Sequence, residues 1–178
     1  MALLARPLLL DLTHTPILCW RWRVDAPLKT ADMATKSGDD YAARVYLAFS
    51  LPTEIIDLIT KAKLKIARSL YGNHVPDAAL NYVWDNRYPV GTRRPNAYTE
   101  RTQMMVLRSG HQYAGRWVTE RRNILADAIL AFGTDRVSPT LLAVASDTDN
   151  TGERAHSGFA DLHFVPSDTK CDFSMIKQ

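Results

Sequence analysis

Apolar and polar positions alternate along most of this chain. Across residues 18–24, Leu18, Trp20, Trp22 and Val24 alternate with Cys19, Arg21 and Arg23, which is the period of a strand buried on one face. The same period picks out Ala43, Val45, Leu47 and Phe49, then Leu80, Tyr82 and Trp84. Further strands are predicted over residues 103–108, 115–118, 141–145 and 159–165, and the opening stretch, where Asp11 cuts short Leu8, Leu9 and Leu10, also reads as a strand. Polar turns separate them: Ser37-Gly38-Asp39, Pro89-Val90-Gly91, Ser109-Gly110 and Asp149-Asn150-Thr151-Gly152. Short strands joined by such turns predict a mainly β chain, an antiparallel β-sandwich or barrel.

Two segments carry a helical period instead. Ile55, Leu58, Ile59, Ala62, Ile66 and Leu70 recur after Pro52, so residues 53–70 are expected to form an amphipathic helix stopped near Gly72. Ile124, Ala128, Ile129 and Phe132 lie on one stripe between Asn123 and Gly133, predicting a shorter second helix. Both are expected to cover an end or edge of the sandwich by ordinary packing. A membrane or partner surface is the functional alternative for the first, whose other faces carry Lys61, Lys65 and Arg68.

With 178 residues, 46% of them hydrophobic and 23% charged, the chain can bury one core, so a single domain is expected across residues 1–178 with a polar tail from 166 onward. Net charge is +3, too small to imply a polyanion partner, but its distribution is uneven: arginines crowd residues 87–122 and acids gather from Asp147 to Asp172. The arginine-rich stretch is interleaved with tyrosines yet lacks any recognisable nucleic-acid-binding motif. Cys19 and Cys171 fit neither a metal motif nor a dense disulfide framework; a single bridge is open, and two separate thiols are the expectation. The start lacks the apolar run and cleavage site of an export signal, and no run reaches the length of a membrane helix.

No complete catalytic motif is present, and five histidines stand far apart, with His163 near Asp161 on a strand and His74 between the predicted elements. Two polar clusters hold the candidate chemistry. In Asp147-Thr148-Asp149-Asn150-Thr151-Gly152-Glu153, alternating oxygen side chains before a glycine suit a hard cation such as calcium. The candidate metal ligands are Asp147, Asp149, Thr151, Glu153 and Asp161, although the closing acid of an EF-hand loop is missing, since Gly158 stands at its place. The alternative is a polar turn between strands. The DxDxT pattern also evokes dehalogenase-type phosphatases, but too little chain follows it for their domain.

The second cluster runs from Trp117 through Glu120, Arg122 and Asn123 to Asp127. A planar ring beside Arg, Asn and acid groups suits a sugar, stacked on the ring and held at its hydroxyls. Without a ligand, the same residues could form a buried network in which Asn123 caps the helix and Glu120 pairs with Arg44 or Arg122. Glu120 with Asp147 is a candidate pair of carboxylates for glycoside hydrolysis.

Taken in order, residues 20–25, Gly38-Asp39-Asp40-Tyr41-Ala42-Ala43-Arg44-Val45-Tyr46, residues 80–84, 117–133 and 147–153 resemble the bacterial domain of unknown function 3047 family. The resemblance covers nearly the whole chain. It implies a β-sandwich of jelly-roll, galactose-binding-like shape, often in exported proteins, and supplies no reaction. Family members usually carry a signal sequence and a further N-terminal segment, whereas Met1 falls almost on the first strand, so either the start is truncated or this copy stays in the cytoplasm. The expectation drawn from both lines is a non-catalytic module that binds a glycan or envelope saccharide, with calcium as a candidate cofactor. Its candidate ligand-binding residues are Arg44, Trp84, Trp117, Glu120, Arg122, Asn123 and Asp127. A polysaccharide hydrolase or lyase and a structural envelope or assembly protein are the alternatives.

Overall fold

The structure, a computed structural model, describes residues 1–72 and 75–173. His74 and the end of the polar tail beyond residue 173 lie outside the described residues. In chain order the elements are β1 (Ala2–Pro7), β2 (Ile17–Val24), β3 (Arg44–Ser50), α1 (Leu58–Tyr71), β4 (Ala78–Asp85), β5 (Arg93–Pro95), β6 (Thr102–Ser109), β7 (Val118–Asn123), α2 (Ile124–Phe132), β8 (Ser138–Ser146) and β9 (Ser157–Val165). The protein is therefore mainly β, with nine strands in two sheets and two helices among the described residues.

Six strands form one sheet in the order β1-β8-β3-β4-β6-β5, and three form the other in the order β7-β2-β9. Alternation turns Val45, Leu47 and Phe49 of β3 and Leu80, Tyr82 and Trp84 of β4 toward Leu18, Trp20, Trp22 and Val24 of β2, and these side chains form one buried core. Trp20 meets Tyr82 at 5.7 Å between ring centroids and Trp22 meets Trp84 at 5.8 Å, contacts that tie the sheets together. Each such aromatic pair adds about 0.5–1.5 kcal/mol beyond its area burial.

Five expectations are corrected. The sheets are not wholly antiparallel: β4 and β6 are parallel, with Asn81 opposite Met104. Residues 86–101, including the unexpected β5, carry the chain back along the sheet, and side-chain alternation is blind to strand direction. The strand expected at residues 115–118 is a turn, where the Gly115 amide donates to the Val24 carbonyl, and β7 occupies Val118–Asn123 instead. The first helix starts later than residue 53, because the Asp57 carboxylate accepts from the Thr60 amide and caps α1 there. Its apolar stripe does not pack inward: Leu64 is the buried side chain, and the Arg68 guanidinium anchors the helix to the Val75 carbonyl and the Asp77 carboxylate.

The fifth correction concerns the cysteines. Cys19 and Cys171 form a disulfide with their Cα atoms 5.8 Å apart, not two separate thiols. Cys19 lies on the outward phase of β2, where the chain after β9 folds back over it, and Ile17, Val165, Cys171 and Phe173 bury the bridge in a small cluster of their own. The described part of the tail is thus tied to the three-stranded sheet. The second helix forms as expected, capped by Asn123 and stopped at Gly133.

Candidate functional site

The outward phase of the six-stranded sheet carries Arg44 and Tyr46 on β3, Asn81 on β4 and Ala145 on β8, with Tyr46 directly opposite Asn81 and Arg44 opposite Ala145. An outward residue normally meets water. Here the chain between β2 and β3 crosses above the sheet, burying Met33 and Tyr41 against Val83, Met104 and Val106, while β1 and the turn at Asn96 close the sides. What stays open is a pocket of about 250 Å³ whose polar lining is Asp39, Arg44, Tyr46, Asn81, Asn96 and Thr102.

Each lining group has a defined state. Asp39 is placed by Gly38, whose missing side chain lets the backbone come close to residue 32: a Cβ there would stand 2.6 Å from the Asp32 nitrogen. The Asp39 carboxylate accepts from the Tyr41 hydroxyl at 3.0 Å and from the Asn96 amide at 2.9 Å. Arg44 is held at 2.9 Å from the Asp147 carboxylate, with its guanidinium over the Tyr41 ring. Burial pushes the Tyr46 phenol up, so it stays a neutral donor and acceptor. Asn81 differs from the rest: it is only 2% exposed, and its side-chain oxygen has no hydrogen-bond partner among the described residues. An unpaired buried amide oxygen costs roughly 1–3 kcal/mol, so its persistence beside an open pocket calls for an explanation.

Beyond Arg44 lies an acid cluster. Carboxylate oxygens of Asp40, Asp147 and Asp149 all lie within 4.8 Å of one another, a group that could hold a metal ion. Burial pushes the Asp147 carboxyl up to about 6; Arg44 and the Tyr41 amide pull it down, and Asp40 and Asp39 push it further up. Of the five ligands expected from sequence, only Asp147 and Asp149 belong to this cluster. Glu153 accepts from the Lys29 and Thr30 amides, Asp161 pairs with Arg21, and the Thr151 amide donates to Asp40. Asp40, which is not among the five expected ligands, anchors the loop by accepting from the amides of both Asn150 and Thr151.

The cluster from Trp117 to Asp127 is brought together in part, by protein partners. Arg122 forms a bidentate pair with Asp127, which also accepts from the buried Tyr82 hydroxyl at 2.8 Å and faces Arg93 at 3.5 Å. Glu120 accepts from Arg108 at 2.6 Å and from the Trp22 indole at 3.0 Å, so its partner is Arg108 and not Arg44 or Arg122. Burial pushes the Glu120 carboxyl up against the pull of Arg108. Asn123 caps α2 by accepting from the Ala126 amide. Trp84 sits in the core between the sheets, its indole donating to the Gly110 carbonyl, and so offers no ring face to a ligand. Trp117 is 39% exposed on the other side of the molecule, where the Arg21 guanidinium lies over its ring and Gly158 leaves room for its edge. Glu120 on β7 and Asp147 after β8 belong to different sheets, each held by its own arginine.

Much of the arginine-rich stretch is engaged within the protein. Arg87 pairs with Asp32, Arg93 and Arg122 with Asp127, and Arg108 with Glu120, while Arg101 donates to the carbonyls of Pro76 and Asp77.

The family described as "Protein of unknown function (DUF3047)" matches residues 1–163. The chain belongs to this family. Neither curated proteins nor solved structures yield a match to it. The DUF3047 match spans all nine strands up to His163, and so takes in the whole lining of the pocket and the acid cluster beside it.

Proposed function

We propose that this DUF3047 protein is a non-catalytic binding module for a glycan or envelope saccharide, and that the ligand sits in the pocket on the outer face of the six-stranded sheet. The observation that carries the reading is the unpartnered Asn81 oxygen beside that pocket. Once the carboxamide turns toward the opening, a ligand hydroxyl donating to this oxygen would remove the desolvation cost of leaving it unpaired. Around it, the Tyr46 phenol and the Thr102 hydroxyl offer neutral donors and acceptors at one opening, with Arg44 at one side and the hydrogen-bonded pair of Asp39 and Asn96 at the other. Neutral groups of both kinds, set against Leu3 and Ala145, suit a small hydroxyl-rich molecule with an apolar ring face. A jelly-roll, galactose-binding-like classification belongs to this reading. So does an exported or periplasmic location, to which the buried disulfide lends support because such bridges persist in oxidising compartments.

A calcium-supported form is a second reading, favoured by the three converging carboxylates of Asp40, Asp147 and Asp149. A divalent ion there would relieve the repulsion among these acids and hold Arg44 in its place through Asp147. No catalytic role is assigned, because Glu120 and Asp147 are separately neutralised.

Titration calorimetry with a panel of neutral and acidic oligosaccharides tests the reading. Asn81→Leu and Tyr46→Phe are expected to weaken binding by about tenfold to a hundredfold, and Trp117→Ala to leave it unchanged. Binding that depends on Trp117 and ignores Asn81 would move the site to the other sheet. Turnover of any member of the panel would replace the binding module with a hydrolase or lyase.

A further inference from the structure

Helix α1 is built the wrong way round for a helix that only packs on its own protein. At 3.6 residues per turn, Leu58, Ile59, Ala62, Ile66 and Leu70 share one face. That face points to solvent: Leu58 is 81% exposed, Ile59 69%, Ile66 62% and Leu70 71%. The inward face has the buried Leu64 with the half-buried Thr60 and Ala67. A surface helix ordinarily buries its apolar stripe, and a contiguous exposed stripe on a folded chain marks an interaction surface.

Charge decides what the surface fits. Lys65 borders the stripe on one side and Lys63 on the other, both exposed, Lys61 lies nearby, and the helix contains no acid. The remaining cation, Arg68, is turned inward to Asp77 and holds the helix to the body of the protein. An apolar stripe flanked by lysines matches the layered chemistry of an anionic bilayer surface, with acyl chains below and phosphates at the level of the ammonium groups. The same lysines would oppose each other if two copies met through this face. Topology adds apolar groups at the same end of the sheet. β1 and β3 finish there, where β8 begins, and Leu9 after β1 and Leu130 on α2, which leads into β8, are both exposed.

We propose that the exposed face of α1 docks the protein reversibly on an anionic lipid surface, lying in the plane of the interface. No helix among the described residues is long and apolar enough to cross a membrane, so the contact is peripheral. The inference is independent of the saccharide pocket, since no residue of the stripe lines it.

Co-flotation of the full chain with vesicles tests it. The chain should float with vesicles of phosphatidylcholine containing a third of phosphatidylglycerol and stay behind with phosphatidylcholine alone. Lys63→Gln with Lys65→Gln should reduce partitioning by about thirtyfold, at about five- to sixfold for each lysine. Ile59→Ser with Ile66→Ser should abolish it. All four side chains are exposed, so thermal unfolding of these variants should match the parent, which separates loss of binding from loss of fold. Failure to float with anionic vesicles, or flotation that survives Ile59→Ser with Ile66→Ser, would overturn the proposal. Binding to soluble polyglutamate without flotation would do the same and assign the face to an acidic protein.

Discussion

Replacing Asn81 with leucine should make the protein more stable while removing its ligand. Asn81 lies between Tyr46 on β3 and Met104 on β6, is 2% exposed, and keeps a side-chain oxygen without a partner among the described residues. Leaving such a group unpaired costs roughly 1–3 kcal/mol, whereas an apolar group of similar shape bears no such cost. Leucine branches at the same carbon as asparagine, and its extra volume can enter the adjoining pocket of about 250 Å³ without displacing the sheet. Asn81→Leu should therefore raise stability by about 1–3 kcal/mol. For a chain of this size each kcal/mol moves Tm by about 2–4 °C, so the midpoint should rise by about 2–12 °C. Urea denaturation with an unchanged m-value would show that the gain belongs to the folded state. A polar group retained at a cost in stability is the mark of a binding position. If Asn81→Leu unfolded at a lower temperature than the parent, the carboxamide would be a structural element, and the argument that places the ligand beside it would fail.

Three further outcomes follow from the same geometry. Asp147 has its folded pKa raised to about 6 from an ordinary 3.8, so between those values the folded chain binds more protons than the unfolded one and its contribution to stability falls as pH rises, levelling off above pH 6. Urea midpoints measured in EDTA from pH 4 to pH 7 should show Asp147→Asn flattening that segment relative to the parent, and a parallel pair of curves would refute the assignment. Calcium at about a hundred times its dissociation constant should stabilise the parent by roughly 2.7 kcal/mol, with the gain lost in Asp149→Ala; equal melting in calcium and EDTA would leave residues 147–153 as a loop anchored by Asp40. Opening the Cys19–Cys171 bridge, which spans 152 residues, should destabilise the chain by up to about 5 kcal/mol on the chain-entropy estimate, read as a lower urea midpoint for Cys171→Ser.

Alternation is a local signal, and it succeeded where burial follows local phase. The tryptophans of β2 and the apolar positions of β3 and β4 face the core in the register their spacing predicted, and Asn123 and Gly133 bound α2 as capping chemistry requires. It failed where long-range placement decides. The parallel pairing of β4 with β6 depends on the course of residues 86–101, and the Cys19–Cys171 bridge on the fold-back of the tail over β2. The stripe of α1 was visible in the sequence, but periodicity gives a helix two faces without saying which one the rest of the chain will cover.

The site was less legible for the same physical reason. Trp117, Arg122 and Asp127 attract attention in a sequence because a ring and charges crowd together, yet crowding along the chain also lets such groups satisfy one another, as Arg122 and Asp127 do. Asn81 attracts none. Between Leu80 and Tyr82 it reads as the solvent-facing residue of a one-sided strand, and only the segment packed above the sheet, which buries Met33 and Tyr41 on that face, turns it into a buried polar group. Arg44 was named from sequence and does line the pocket; Asp39 and Asp40 were legible only as part of a family-like run of residues. A pocket built from one or two residues per strand leaves no compact motif, since β-strand geometry brings Tyr46, Asn81 and Thr102 together from separate stretches of chain. The informative signal is therefore a polar residue without a protein partner, a property of the folded chain that residue type and spacing do not encode.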